Sequence, residues 1–307
     1  MRTCRRVILV LIVLCTSAPF ALAWNKAGHM VSAGIAYQVL RHDHARELGS
    51  AVRLLREHPF YNTVWLPRIQ PFQNTDRDLY LLMEAARWPD EIRTHRQFHQ
   101  SDWHYINSPY KPEGQPRSLR VREPGEVNIL AALEHNLAIV KDHRRRDAER
   151  AIALSWLIHL IGDIHQPLHT SSYFTVQFPQ GDRGGTLFHV RAAPDRSVID
   201  LHQFWDDLIL GSDRYQSAWN RALLISANHS PRHLGELKNR RFQDWAKESF
   251  SLVREHVYLD GALKGSVDGR NVPVLTAPYR DQAKRIAERR IVLSGYRIAE
   301  ILITLFR

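Results

Sequence analysis

The sequence predicts a mainly α-helical protein with long loops and one small β element. Apolar residues recur at helical spacing in several long segments, whereas the apolar–polar alternation of a strand is scarce. No Gly/Ser-rich or Pro-rich linker divides the 307 residues. One compact domain is therefore the simplest expectation.

The predicted elements follow from local patterns along the chain. The helical pattern covers residues 27–40, 77–92, 127–140, 151–164 and 283–306. We expect the second helix to stop or bend near Pro89, because proline lacks the backbone donor that a helix needs. The best strand candidate is 186–190, after the turn-forming pair Gly184-Gly185. Long irregular connections, which are often functional, are predicted at 57–74, 107–124, 171–196 and 265–278.

The first 23 residues have the features of a secretory signal peptide. Basic residues precede an apolar run at 7–15, and the small-residue sequence Ala21-Leu22-Ala23 marks a cleavage site. The apolar run is shorter than the roughly 20 residues needed to span a bilayer. We therefore predict an exported protein, periplasmic or secreted, whose mature chain is 24–307 and does not associate with a membrane.

Composition narrows the chemistry of the mature chain. Both cysteines, Cys4 and Cys15, lie in the segment predicted to be removed, which excludes disulfides and thiolate chemistry. The formal charge of +10 falls to +7 without the three arginines of that segment, and a basic surface favours polyanions. The 17 histidines, several close to aspartates, call for an explanation such as metal binding.

The densest group of potential metal ligands lies between His159 and His169. His159 and Asp163 are four residues apart on a predicted helix, so their side chains leave one face as two ligands of one ion must. Pro167 should disrupt the helix and let His169 approach a second ion. Burying these groups is costly unless a metal offsets their desolvation. His165 points off this face, so we expect it to orient a ligand or support the fold.

Further candidate ligands are distant in sequence. His202 and Asp206 repeat the spacing of four residues, and His169 could complete their site. Asp90 and His104 also fit simpler interpretations, Asp90 as a turn residue and His104 as a buried, hydrogen-bonded histidine.

The predicted cleavage site could itself contribute ligands. Trp24 precedes His29 by five residues at the start of a helix. Cleavage after Ala23 would make the new α-amino group a possible ligand, and the Trp24 carbonyl could close a chelate ring on the same ion. Signal peptide removal would then complete a metal site.

Together these residues resemble the S1/P1 nuclease family, from Trp24 to the last helix near Gly295-Tyr296-Arg297. The resemblance implies an S1/P1 nuclease and phospholipase C-like helical fold with three Zn²⁺ in a cleft. All nine ligand positions of the family carry the expected residue types. They are Trp24, His29, Asp90, His104, His159, Asp163, His169, His202 and Asp206.

The family pattern also implies how the ligands are shared. One zinc would take Asp90, His104, His159 and Asp163. A close neighbour would take the Trp24 amino group and carbonyl, His29 and Asp163, which would bridge the two ions. The third, more exposed zinc would take His169, His202 and Asp206.

The activity that the resemblance implies is hydrolysis of phosphodiester bonds in single-stranded DNA and RNA, with 3'-nucleotidase activity. Zinc lowers the pKa of bound water towards ~7, and attack on phosphorus would leave 5'-phosphate products. Asp90 would orient the water, and Arg93, one turn later, would stabilise charge on the phosphate or the leaving oxygen. The alternative interpretation of Arg93 is an arginine that only faces solvent on a helix. We expect a monomer without a stable protein partner.

The resemblance also implies substrate contacts at Tyr105, Asn107 and Thr186, of which the last two depart from the family pattern. Tyr105 matches an aromatic residue on which a base can stack, although a core tyrosine fits as well. Asn107 stands where well-known members use Asp to read a base edge, and Thr186 where Asn is common, so base preference stays open. The segment 29–90 is longer than in fungal and plant enzymes and their disulfides are absent, which fits a bacterial member.

Two other functions compete with this interpretation. A zinc-dependent phospholipase C shares the fold, but usually has Glu at the position of Asp206 and a first histidine further from the N-terminal Trp. A non-catalytic periplasmic zinc-binding protein would use flexible His-rich tracts. Here the ligands are scattered over about 180 residues and meet only in a folded site.

Overall fold

The computed structural model describes residues 24–72 and 74–307, so the predicted signal peptide lies outside the described residues. The expected mainly α-helical fold is confirmed. The α-helices are α1 (Lys26–Asp43), α2 (Ala45–Arg56), α3 (Leu66–Ile69), α4 (Asn74–Glu91), α5 (Ile129–Lys141), α6 (Asp147–Asp163), α7 (Leu201–Asp206), α8 (Tyr215–Ala227), α9 (Phe242–Leu252) and α10 (Ala277–Phe306).

The predicted helices correspond to α1, α4, α5, α6 and α10. Pro89 lies in the last turn of α4, which ends two residues later at Glu91. The prediction of an irregular segment at 57–74 is wrong in part, because a π-helical turn (Tyr61–Trp65) leads into α3. Pro67 is tolerated at the start of α3, where its missing N–H has no helical acceptor. Buried Trp65 and Ile69, four residues apart, hold this segment against the core.

Four short strands form two small sheets among the described residues. β1 (Ser108–Tyr110) pairs in parallel with β2 (Ser171–Tyr173), with Ser108 opposite Ser171. β3 (His189–Arg191) pairs antiparallel with β4 (Val198–Asp200), with His189 opposite Asp200. β3 begins three residues later than the predicted strand 186–190, because positive φ at Gly184 and Gly185 keeps the preceding chain in a turn.

The helices that carry the candidate ligands cross one another in the core. α1 packs against α4, α8 and α10, and α6 packs against α4 and α5. His29 therefore comes from α1, Asp90 from α4, and His159 and Asp163 from α6. A second apolar cluster around Trp205, Phe188 and Tyr258 holds α7. Within the described part of the chain, no helix has the length and apolar character needed to cross a membrane.

Candidate metal centre and substrate cleft

Asp163, at the C-terminal end of α6, faces three imidazoles in the interior of the protein. Its Oδ1 lies 3.1 Å from Nε2 of His29. Its Oδ2 lies 3.1 Å from Nε2 of His159 and 2.9 Å from Nδ1 of His104. Since each oxygen faces a different set of imidazoles, the carboxylate could serve two adjacent metal ions.

Asp90 brings the end of α4 to the same centre. Its Oδ2 lies 4.0 Å from Nε2 of His29, and its Oδ1 lies 4.0 Å from Nε2 of His159. Arg93 Nη2 donates to Asp90 Oδ1 over 2.7 Å. Two overlapping groups of possible ligands result, His29/His159/Asp163 and Asp90/His104/His159, each with ligand atoms within 4.8 Å of one another.

A third group contains His169, His202 and Asp206, again with ligand atoms within 4.8 Å. The Nε2 atoms of the two histidines are 3.0 Å apart, and His202 Nε2 is 3.6 Å from Asp206 Oδ2. α6 ends at Asp163, and a 3₁₀ turn that starts at Pro167 carries His169 to this group.

Main-chain carbonyls orient three of the imidazoles. The pairs are His159 Nδ1 with Ala86 O at 2.8 Å, His169 Nδ1 with His104 O at 2.6 Å, and His202 Nδ1 with Gly184 O at 2.6 Å. A carbonyl only accepts, so each Nδ1 carries the proton when the ring is neutral. Each Nε2 then presents a lone pair to the centre, as metal-binding histidines do.

Buried polar atoms without hydrogen bonds mark the same centre. Among them, His29 Nε2, Asp90 Oδ2, Asp163 Oδ1 and Asp206 Oδ2 face the ligand groups described above. Tetrahedral zinc with Zn–N bonds of about 2.0–2.1 Å holds its ligand nitrogens roughly 3.3 Å apart. Two observed distances approach this spacing. His159 Nε2 lies 3.1 Å from His104 Nδ1, and His169 Nε2 lies 3.0 Å from His202 Nε2. The side chains present therefore fit metal ions.

The carboxylates of the two regions differ in their electrostatics. Burial alone would raise the pKa of Asp163, but nearby His159 and His169 and the hydrogen bond from His104 hold it well below its usual range. Burial raises the pKa of Asp206 well above its usual range, and Asp207 adds to the shift. A cation beside Asp206 would favour its ionised form.

The N-terminal segment packs on the end of α6. Trp24 is buried, and its Nε1 donates to Gly162 O over 3.0 Å. A Cβ on Gly162 would lie 2.7 Å from His29 Nδ1, so glycine is needed for α1 to approach α6. Asn25 accepts from Gly28 N as the N-cap of α1 and donates to Asp207, next to Asp206. The role of the Trp24 main chain as a ligand stays a prediction.

A cleft of about 800 Å³ opens over the centre. Its walls include every predicted substrate contact, Arg93, Tyr105, Asn107 and Thr186, together with His104, His169 and His202. Asn107 has a φ of 54°, a left-handed conformation that asparagine tolerates better than most residues.

Sequence reasoning missed other cleft residues, notably Arg122, Arg183 and Phe174. Arg122 lies in the predicted long loop 107–124, and Arg183 directly precedes Gly184-Gly185. Their positions in long loops that contain basic residues could have suggested a role in substrate binding. However, residues of separate loops become neighbours only through the tertiary fold.

Asp182 anchors the loop that orients His202. Its Oδ1 accepts from Tyr173 N over 2.9 Å, and its Oδ2 accepts from the Tyr258 hydroxyl. Gly184 has a φ of 63°, and a Cβ there would lie 2.5 Å from Leu168 O. Asp182 and this glycine together direct the Gly184 carbonyl at His202.

Asp182→Asn is expected to change the pH dependence of stability. Burial raises the pKa of Asp182 to about 6. A raised folded-state pKa contributes stability that is fully present below the unfolded value near 3.8 and lost as pH rises through about 6. The Tm of the wild type minus that of the variant should therefore fall between pH 4 and pH 7. Exposed Asp147→Asn serves as the control, and a pH-independent difference for Asp182→Asn would contradict the assignment.

α10 contacts the turn after α6, which links the first two ligand groups to the third. Arg297 Nη1 lies 2.6 Å from His165 Nε2, and His165 Nδ1 donates to Ile161 O over 2.7 Å. Arg290 Nε donates to His165 O over 3.2 Å, and Ser249 Oγ donates to Ile164 O. His165 thus lies outside the three candidate groups, and its contacts tie the end of α6 to α10.

Comparisons with known proteins give a consistent assignment. A family model described as S1/P1 nuclease matches residues 24–307. The chain is 26% identical to Endonuclease 4 of Arabidopsis thaliana, over 93% of this chain and 90% of that protein. It is 25% identical to Nuclease P1 of Penicillium citrinum, over 71% and 82%, and 23% identical to Nuclease S1 of Aspergillus oryzae, over 71% and 77%. The chain therefore belongs to the S1/P1 nuclease family, whose members are hydrolytic phosphodiesterases.

Proposed function

We propose that the chain is an exported, zinc-dependent endonuclease that cleaves single-stranded DNA and RNA to 5'-phosphate products and also dephosphorylates 3'-nucleotides. In this proposal residues 1–23 are removed as a signal peptide, and 24–307 forms one monomeric catalytic domain. Protein relatives named endonucleases and nucleases support the reaction class.

The observation that carries the proposal is the meeting of three His/Asp groups beneath one basic, aromatic-lined cleft. In our assignment, all nine predicted ligands hold three Zn²⁺, with Asp163 shared by two. When bound, the ions would supply a water of lowered pKa and offset charge on the phosphate.

The protein's own groups position the substrate. Arg93 touches both Asp90 and the cleft, so it can pair with the scissile phosphate while it orients the Asp90 carboxylate. Half-buried Tyr105, whose hydroxyl donates to Asp102 Oδ1 over 3.0 Å, offers its ring to a base. Asn107 and Thr186 line the same cleft and can contact polar base edges.

One experiment tests the proposal on correctly processed protein. Metal content is measured, and products are analysed from a defined single-stranded oligonucleotide, its duplex, a 3'-nucleotide and phosphatidylcholine. We expect three zincs per chain, 5'-phosphate ends and preference for the single strand. Activity on phosphatidylcholine alone would favour a phospholipase C, and zinc-loaded protein inactive on every substrate would favour zinc storage.

An extra residue ahead of Trp24 is expected to lower metal occupancy. The added residue would displace the α-amino group from the position assigned to a ligand, beside buried Trp24 and Gly162. We expect about one zinc fewer per chain at limiting free zinc, measured by elemental analysis. The control carries the same extension after exposed Arg307. Full loading with the N-terminal extension retained would contradict the assignment.

A further inference from the structure

A second cavity, here called the lateral pocket, lies beside the metal centre and has a volume of about 520 Å³. Its lining includes Lys26, Phe60, Arg68, Asp90 and Arg93. Arg93 also lines the main cleft, and among the described residues it is the one lining residue that the two cavities share. The lateral pocket and the main cleft therefore adjoin at Arg93, which pairs with Asp90.

The charges of the lateral pocket suit a phosphate. Arg68 donates to Glu84 and to Glu91, each over 2.8 Å, and Arg87 contacts the same two carboxylates. These two arginines balance the two acids. Lys26 adds a third cation beside these two acids; its Nζ forms an ion pair with Glu91 Oε1 at 3.6 Å, and its side chain is 41% exposed.

The lateral pocket also has an apolar wall. Phe60 is half-buried and meets Trp88 edge-on, with ring centroids 5.7 Å apart. Half-buried Val64 also lines the lateral pocket. Phe60 and Val64 come from the long segment between His29 and Asp90, in and just before its π-helical turn. A cation and a partly open aromatic ring are the elements that bind a nucleotide of a single strand.

We propose that the lateral pocket binds the nucleotide on the 3' side of the scissile phosphate, the one that keeps the 5'-phosphate in the product. The inference rests on the proposed function, in which the nucleoside carrying the 3'-oxygen occupies the main cleft beside Tyr105. Because the phosphate bound between them lies at Arg93, the next nucleotide enters the lateral pocket.

The proposal separates the two activities of the same centre. A 3'-nucleotide has a nucleoside on one side of its phosphate only, and so it fills the main cleft and leaves the lateral pocket empty. An oligonucleotide fills both. Changes in the lateral pocket should therefore affect oligonucleotide cleavage and spare the hydrolysis of a 3'-nucleotide.

The test compares kcat/KM for a single-stranded hexanucleotide and for 3'-AMP in zinc-loaded Lys26→Gln and Phe60→Leu variants. We expect Phe60→Leu to lower hexanucleotide cleavage about fivefold to hundredfold, the range for loss of one base stack. Lys26→Gln should reduce the dependence of log Kd on log salt by about 0.7 for a phosphorothioate hexanucleotide, as expected for one lost phosphate contact. Activity on 3'-AMP should stay within about twofold in both.

Two controls make the outcome decisive. Exposed Lys284→Gln, on α10, should leave both substrates and the salt dependence unchanged, and Tyr105→Ala should lower both activities. Equal losses on both substrates, or no loss on either, in the lateral-pocket variants would overturn the inference. A wild type inactive on both substrates would instead overturn the proposed function. A Tm for each variant identifies loss of folding, and Lys26→Gln, at an exposed side chain, tests the inference independently of core packing.

Discussion

Asp163→Asn is expected to abolish most activity and to lower bound zinc by up to two ions per chain. Asp163 is the one carboxylate within 3.1 Å of three imidazoles in the part of the chain that the structure describes. Loss of a residue that only orients a ligand typically costs about 10–100-fold in metal affinity or activity. Loss of a ligand shared by two ions should lower metal affinity or activity by more than about 100-fold.

The same substitution should lower stability in the presence of zinc. A site filled at a thousand times its Kd contributes about 4 kcal/mol to folding, so two weakened sites can remove several kcal/mol. The measurement is Tm and metal content at fixed free zinc. Asp147→Asn, at the exposed start of the same helix, is the matched control. An unchanged zinc count and Tm in Asp163→Asn would contradict the bridging assignment.

Arg297→Met is expected to destabilise the fold by about 3 kcal/mol or more, because it leaves part of a buried ion network without its partner. Arg297 is fully buried and contacts both oxygens of Glu248, at 2.8 Å each, as well as His165. In the variant Arg290 would still contact Glu248. The loss in free energy of unfolding should therefore lie near the lower end of the range for broken buried ion pairs.

The effect of Arg297→Met is measured by urea unfolding at fixed free zinc, together with metal content. Arg289→Met is the control on the same helix, because its pair with Glu236 is partly exposed and such pairs contribute about 0–1 kcal/mol. Arg297→Lys should recover part of the loss, since it restores the charge but not the two-pronged contact. Equal destabilisation by Arg297→Met and Arg289→Met would show that the network adds little.

Much of the helical fold could be predicted because helical periodicity is local. The long segments that became α1, α4, α5, α6 and α10 each carry apolar residues at helical spacing, which is visible in the sequence. α3 and the π-helical turn before it were missed, since packing of Trp65 and Ile69 on the core overrides the local turn signals. The strand at β3 was misplaced because the glycine turn extends further than the pattern suggested.

By itself, the sequence determined which residues could be ligands and which pairs share a helix face. His159 with Asp163 and His202 with Asp206 follow from spacing, because helical geometry acts over one turn. Only the tertiary structure decided that α1, α4 and α6 bring His29, Asp90 and Asp163 to one centre, which imidazole nitrogen faces it, and that a second pocket adjoins Arg93. Those features depend on contacts between distant segments, and such contacts arise from the packing of the whole core rather than from any local pattern.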